Sequence, residues 1–137
     1  MSSYYPTKFQ NISWGTGNNS TLIKIADMEK QSGSISPLVM FAYEKHAQQT
    51  STFFFLSIVN RSEGVFASVK NLGPDSIRNS SFYYKESGST LSLYVLLSPY
   101  GTVVNIFANP EGTSAGILKS EIQSSTDVSG MTKIQAQ

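Results

Sequence analysis

Thr52-Phe53-Phe54-Phe55-Leu56-Ser57-Ile58-Val59 is a nearly unbroken run of β-favouring residues, free of glycine and proline and bounded by polar residues on both sides. Aromatic and β-branched side chains pack well on a pleated surface, and a run without alternation leaves neither face for water. The segment is therefore expected to be a strand covered on both faces, inside a protein whose interior is built from sheets.

Working outward from it, segments of six to ten β-favouring residues recur with turn residues between them, and helical periodicity is hard to find. On the N-terminal side these are Phe9 to Trp14, Thr21 to Met28 and Pro37 to Lys45. A glycine- and asparagine-rich loop, Gly15 to Asn19, separates the first two. Simple alternation puts Thr21, Ile23 and Ile25 on one face and Leu22, Lys24 and Ala26 on the other. On the C-terminal side, Gly64 to Lys70 should turn Val65, Ala67 and Val69 inward, and Asn71-Leu72-Gly73-Pro74-Asp75 is a strong turn signal. Ile77 to Lys85 follows, then Ser87-Gly88-Ser89 reverses the chain into Leu91 to Leu97, where Leu91, Leu93, Val95 and Leu97 alternate with Ser92, Tyr94 and Leu96. Ser98-Pro99-Tyr100-Gly101 reads as a compact turn, so Leu91 to Leu97 and Thr102 to Ala108 are expected to form a hairpin. Gly116 to Ile122 is the last strand.

Strands separated by turns about every ten residues, without helices between them, predict an all-β protein, an antiparallel two-sheet β-sandwich of jelly-roll-like form. The expected organisation is an N-terminal lead-in (1–8), one sandwich domain (9–122) and a polar tail (123–137), either loose or ordered by a partner. At 137 residues, of which 39% are hydrophobic, one core is expected.

Composition narrows the function. Only 14% of residues are charged, and ten Lys plus Arg against nine Asp plus Glu leave a net charge of +1. The basic residues are scattered and give no cluster to neutralise phosphates, which argues against a nucleic-acid partner. The absence of cysteine removes disulfides, thiolate metal sites and thiol nucleophiles. Nothing at the N-terminus reads as a secretory signal, and no stretch reads as a spanning helix, so cytoplasmic synthesis without membrane insertion is expected.

Signals for chemistry are sparse. His46, the single histidine, sits in a polar stretch, and no Gly-x-Ser-x-Gly elbow surrounds any serine. Glu44 with His46, and Asp27 with Glu29, share faces as pairs but lack further ligands nearby, so a solvated rim is the reading for both and no metal or cofactor is expected. Carboxylates for glycoside chemistry can come from anywhere in a folded chain, and sequence neither finds nor excludes them.

Aromatic residues make up 12% of the chain. Phe41, Phe54, Phe66 and Phe107 are assigned to the core. Trp14, Tyr83, Tyr84, Tyr94 and Tyr100 stand near turns or at polar phases of strands, and with Asp75, Arg78 and Asn79 they are the candidate contacts for a saccharide. Such rings offer a sugar an apolar face beside polar groups, and they suit subunit contacts equally well. Charged gatekeepers are scarce in the strands around Phe53 and Leu93, which favours assembly.

The strand Asn11-Ile12-Ser13-Trp14-Gly15, the segment Thr21 to Ala26 after the Gly/Asn loop, Leu91-Ser92-Leu93-Tyr94-Val95-Leu96-Leu97 ahead of Tyr100, and Val103-Val104-Asn105-Ile106 together resemble the small C-terminal β-sandwich domains of bacteriophage tailspikes and tail fibres. The likeness covers Phe9 to Ile122 and is one of pattern and composition. It implies a homotrimer in a virion, in contact with other virion proteins, with the domain stabilising the trimer and binding a host-surface polysaccharide. It also implies that the chain is not itself an enzyme, because catalysis in those proteins resides in a preceding β-helix. Two alternatives stand beside it: a structural decoration or baseplate protein without a ligand, and a small jelly-roll polysaccharide hydrolase or lyase.

Overall fold

The computed structural model describes residues 12–15, 19–29, 38–44, 51–61, 64–71, 81–97, 102–108 and 116–135. They form ten strands: β1 (Ile12–Gly15), β2 (Thr21–Glu29), β3 (Leu38–Glu44), β4 (Ser51–Arg61), β5 (Gly64–Asn71), β6 (Ser81–Ser87), β7 (Thr90–Leu97), β8 (Thr102–Ala108), β9 (Gly116–Ile122) and β10 (Thr132–Lys133). They make two five-stranded sheets, in the order β1-β8-β3-β4-β5 and β10-β6-β7-β2-β9. Every pairing among them is antiparallel. The protein is all-β, as the strand pattern predicts.

β4, which carries the phenylalanine triplet, lies between β3 and β5, so its backbone groups are bonded on both sides. Leu56 and Ile58, further along it, are fully buried. They and Val69 of β5 meet Ile23, Ile25 and Ala26 of β2, Phe82 of β6, and Leu91, Leu93, Val95 and Leu97 of β7 in one buried cluster. The two sheets therefore share a single core. Each such aliphatic side chain contributes on the order of 1.5–3 kcal/mol relative to its exposed state. Val65 and Ala67 pack against the same cluster, as the alternation in β5 requires.

Four expectations are corrected. The first is the hairpin of Leu91–Leu97 with Thr102–Ala108: β7 pairs with β2 and β6, whereas β8 pairs with β1 and β3 in the other sheet. A short Pro/Gly connection can carry the chain from sheet to sheet as readily as it can fold it back on itself. The second concerns the faces of β2. Its register shifts between Lys24 and Ala26 against both neighbours, so Ile23, Ile25 and Ala26 all join the core. A β-bulge of this kind breaks the two-residue phase without needing glycine.

The third is Phe66, which is 59% exposed, because it alternates out of phase with the inward Val65, Ala67 and Val69. The fourth is the tail. Thr132 and Lys133 pair with Tyr84 and Tyr83 of β6, and Ile134 is 3% exposed within the core cluster. Ile134 N–H donates to the Phe82 carbonyl at 2.8 Å, and the Gln135 carbonyl accepts from Val69 N–H at 3.3 Å. The end of the chain thus bonds an edge of each sheet.

Between β6 and β7 the register pairs Ser87 with Thr90, leaving a two-residue turn. Gly88 adopts φ +63° there, the left-handed conformation that tight hairpin turns demand.

Candidate functional site

The expected saccharide contacts fall in three places. Trp14 stands in β1, opposite Val104 of β8 in the first sheet, whereas Tyr83, Tyr84 and Tyr94 are in β6 and β7 of the second. Asp75, Arg78, Asn79 and Tyr100 lie outside the described residues, as do His46 and the turn from Leu72 to Asp75.

The tyrosines differ in environment. Tyr84 packs against the core cluster. Tyr94 alternates onto the opposite face from Leu93 and Val95, yet is only 7% exposed. Its register neighbours are Tyr83 on β6 and Lys24 on β2, and the same row runs on to Lys133 on β10 and Glu121 on β9. Tyr83 is half-buried in that row, and Lys85 beside it on β6 is exposed. Of the tyrosines described, Tyr83 offers an accessible ring on the outer face of this sheet.

One residue pair away, Ser92 is buried and its hydroxyl donates to Asp27 Oδ1 at 2.7 Å. The same carboxylate oxygen meets Lys24 Nζ at 3.5 Å. Residues three apart in a regular strand point to opposite faces; the bulge at Ile25 brings Lys24 and Asp27 to the same one. Asp27, considered above with Glu29 as a possible cation ligand, is instead committed to a lysine and a serine. Among the described residues no group of three or more His, Asp or Glu is arranged to hold a metal ion.

Sequence reasoning missed an open cleft of about 520 Å³ at the start of β2. Residues 19–22 line one side and residues 122–126 the other. Gln123 N–H donates to the Leu22 carbonyl at 2.9 Å, which ties the walls together at their base. Gln123 Nε2 donates to the Glu121 carbonyl at 3.0 Å, and Thr21 Oγ1 to the Asn19 carbonyl at 3.4 Å. On the outer wall, Asp127 N–H donates to Ser125 Oγ at 3.0 Å and Ser129 N–H to Asp127 Oδ1 at 2.9 Å. That backbone donor holds the Asp127 carboxyl below the ordinary aspartate range. Ile122, at the end of edge strand β9, is 64% exposed at the cleft. The signal in the sequence was the density of Ser, Thr, Asn and Gln in two segments that only the pairing of β2 with β9 brings together.

Two antiparallel sheets share one core, and an open cleft walled by hydroxyls and amides lies at the start of β2. No family model and no curated protein sequence matches the chain. Its fold does recur among solved structures. Pantoea stewartii WceF, described as a glycan biofilm modifying enzyme with a bacteriophage tailspike-like parallel β-helix fold, superposes with a TM-score of 0.62 at 11% identity, over 98% of this chain and 23% of that one. The tailspike gp49 of Acinetobacter baumannii bacteriophage Fri1, described as a capsular polysaccharide depolymerase, gives a TM-score of 0.41 at 13% identity, over 92% of this chain and 19% of that one. The chain thus spans less than a quarter of the length of either protein.

The expectation that the chain is not an enzyme is corrected here, because Pantoea stewartii WceF, on which 98% of the chain superposes, is described as a glycan biofilm modifying enzyme. The lack of a Gly-x-Ser-x-Gly elbow and the position of the single histidine, His46, in a polar stretch bear only on nucleophilic triads. Glycan chemistry run by carboxylates leaves no fixed spacing in a sequence.

Proposed function

We propose that this chain is a jelly-roll-like β-sandwich module of a tailspike-type, polysaccharide-modifying protein of a bacteriophage virion, where it trimerises and holds a host-surface polysaccharide. The observation that carries the reading is the superposition of 98% of the chain on part of a tailspike-like glycan enzyme. All described pairings here are antiparallel, whereas coils of a parallel β-helix pair in parallel. This supports a likeness to a portion of that protein outside its helical coil, in keeping with a C-terminal sandwich.

The nested pairings support the jelly-roll form. β1 pairs with β8 in one sheet while β2 pairs with β7 in the other, as when a long hairpin is wound over two layers. Tyr83 on the outer face, and Trp14, Tyr100, Asp75, Arg78 and Asn79, are the residues proposed to meet sugar or a neighbouring subunit, whereas Tyr84 packs against the core and Tyr94 is buried.

The test is retention of the chain on an array of bacterial surface polysaccharides, with release of reducing ends measured in parallel. The reading predicts retention that falls with Tyr83→Ala or Trp14→Ala at unchanged sedimentation. Absence of both retention and turnover, together with tight attachment to a capsid lattice, would favour a purely structural virion component.

A further inference from the structure

We propose that the cleft between residues 19–22 and residues 122–126 is a binding groove for an uncharged segment of polysaccharide. The ligand class rests on the tailspike reading above; the location and the absence of charge come from the cleft. Its volume, about 520 Å³, lies within the range of small-ligand sites. Its described lining contains no Asp, Glu, Lys or Arg, only Asn, Ser, Thr and Gln with Leu22 and Ile122.

That inventory has a chemical meaning. Hydroxyls both donate and accept, and amides do each at separate atoms, so such a wall can satisfy the many vicinal hydroxyls of a neutral sugar. An acidic sugar would need a cation to compensate the loss of its hydration, and none of the described lining residues supplies one. Ile122 presents an apolar surface at the same place, suited to the C–H face of a pyranose ring.

The groove is also held in shape before any ligand arrives. Its walls are joined by the Gln123–Leu22 backbone bond, and the Ser125–Asp127 and Asp127–Ser129 bonds fix the turn beyond it. Such pre-organisation lowers the ordering cost of binding. Among the described residues, no hydrogen bond occupies the hydroxyls of Ser20, Ser124 or Thr126, and all three side chains are exposed to an incoming ligand.

The lysines around Tyr83 make the competing surface. Lys85 and Lys133 are exposed near that ring and would suit an acidic glycan. The two surfaces therefore differ in the charge of what they take.

The experiment presents the chain with immobilised neutral hexose fragments of bacterial surface polysaccharides and with uronic-acid-bearing ones, at low and high salt. Neutral fragments are expected to be retained with little dependence on salt. Gln123→Ala, which removes one bonding amide, is expected to weaken retention about tenfold. Ser124→Trp, which fills the groove, should abolish it, while Glu86→Gln in β6 leaves it unchanged and circular dichroism shows all three variants folded. Retention that ignores Gln123→Ala and Ser124→Trp, or that is confined to acidic fragments and lost on Lys85→Ala, overturns the groove and leaves the glycan reading standing. Retention of no fragment removes the glycan reading and the groove with it.

Discussion

Asp27 shows how a single side chain can matter more than its surface position suggests. It accepts from the buried Ser92 hydroxyl and pairs with Lys24, and the two interactions differ in weight. Lys24 and Asp27 are each 21% exposed, so their ion pair contributes on the order of 0–1 kcal/mol. Removing the acceptor strands a hydroxyl that is only 8% exposed, at a cost of about 1–3 kcal/mol. Asp27→Ala is therefore expected to lower the urea midpoint distinctly more than Lys24→Ala; equal effects would show that the ion pair dominates. At Asp127 the sign of the pH effect is set by its depressed pKa. The bond from Ser129 N–H is fully present above the ordinary aspartate pKa and is lost as pH falls through the lowered one. An NMR titration should find the Asp127 midpoint below that of an unstructured aspartate, with the Ser129 amide moving in step.

At the scale of the element, the strands were legible because period-two patterning and unbroken β-favouring runs are local properties. Leu91 to Leu97 and Thr52 to Val59 announced themselves, and each strand read from the sequence is present. What escaped were features decided by distant chain. The bulge at Ile25 has no glycine to mark it, and the partners of β7 and β8 depend on which sheet each enters. β10 is two residues long, too short for any pattern, and its one hint was Ile134 in a polar tail.

The path of that tail is a geometric consequence of the sheet order. β9 and β10 lie at opposite edges of the same sheet, about 19 Å apart at four strand spacings. The stretch between Ile122 and Thr132 can reach roughly 30 Å when extended, enough to make the crossing. The end of the chain then fills the core with Ile134 and bonds Phe82 and Val69. Ile134→Ala is expected to cost about 2–5 kcal/mol in chemical denaturation, as for other fully buried aliphatic truncations. A change under about 0.5 kcal/mol would mean that the tail is dispensable to the fold.

For the whole molecule, the candidate site was less legible than the fold. The sequence singled out aromatic rings, and the structure divides them between two sheets, with Tyr94 inside and Tyr83 accessible. The cleft is built mostly from polar residues in two segments, 19–22 and 122–126, far apart in the chain, a conjunction that no local pattern records. The tailspike reading brings assembly with it. Phe66 is a large apolar side chain left at the surface on β5, an edge strand, features that a neighbouring subunit would cover. Sedimentation equilibrium of the chain at micromolar concentration tests this most directly. The account predicts a species of three times the 15.0 kDa chain mass, and a single 15.0 kDa species across that range would contradict it.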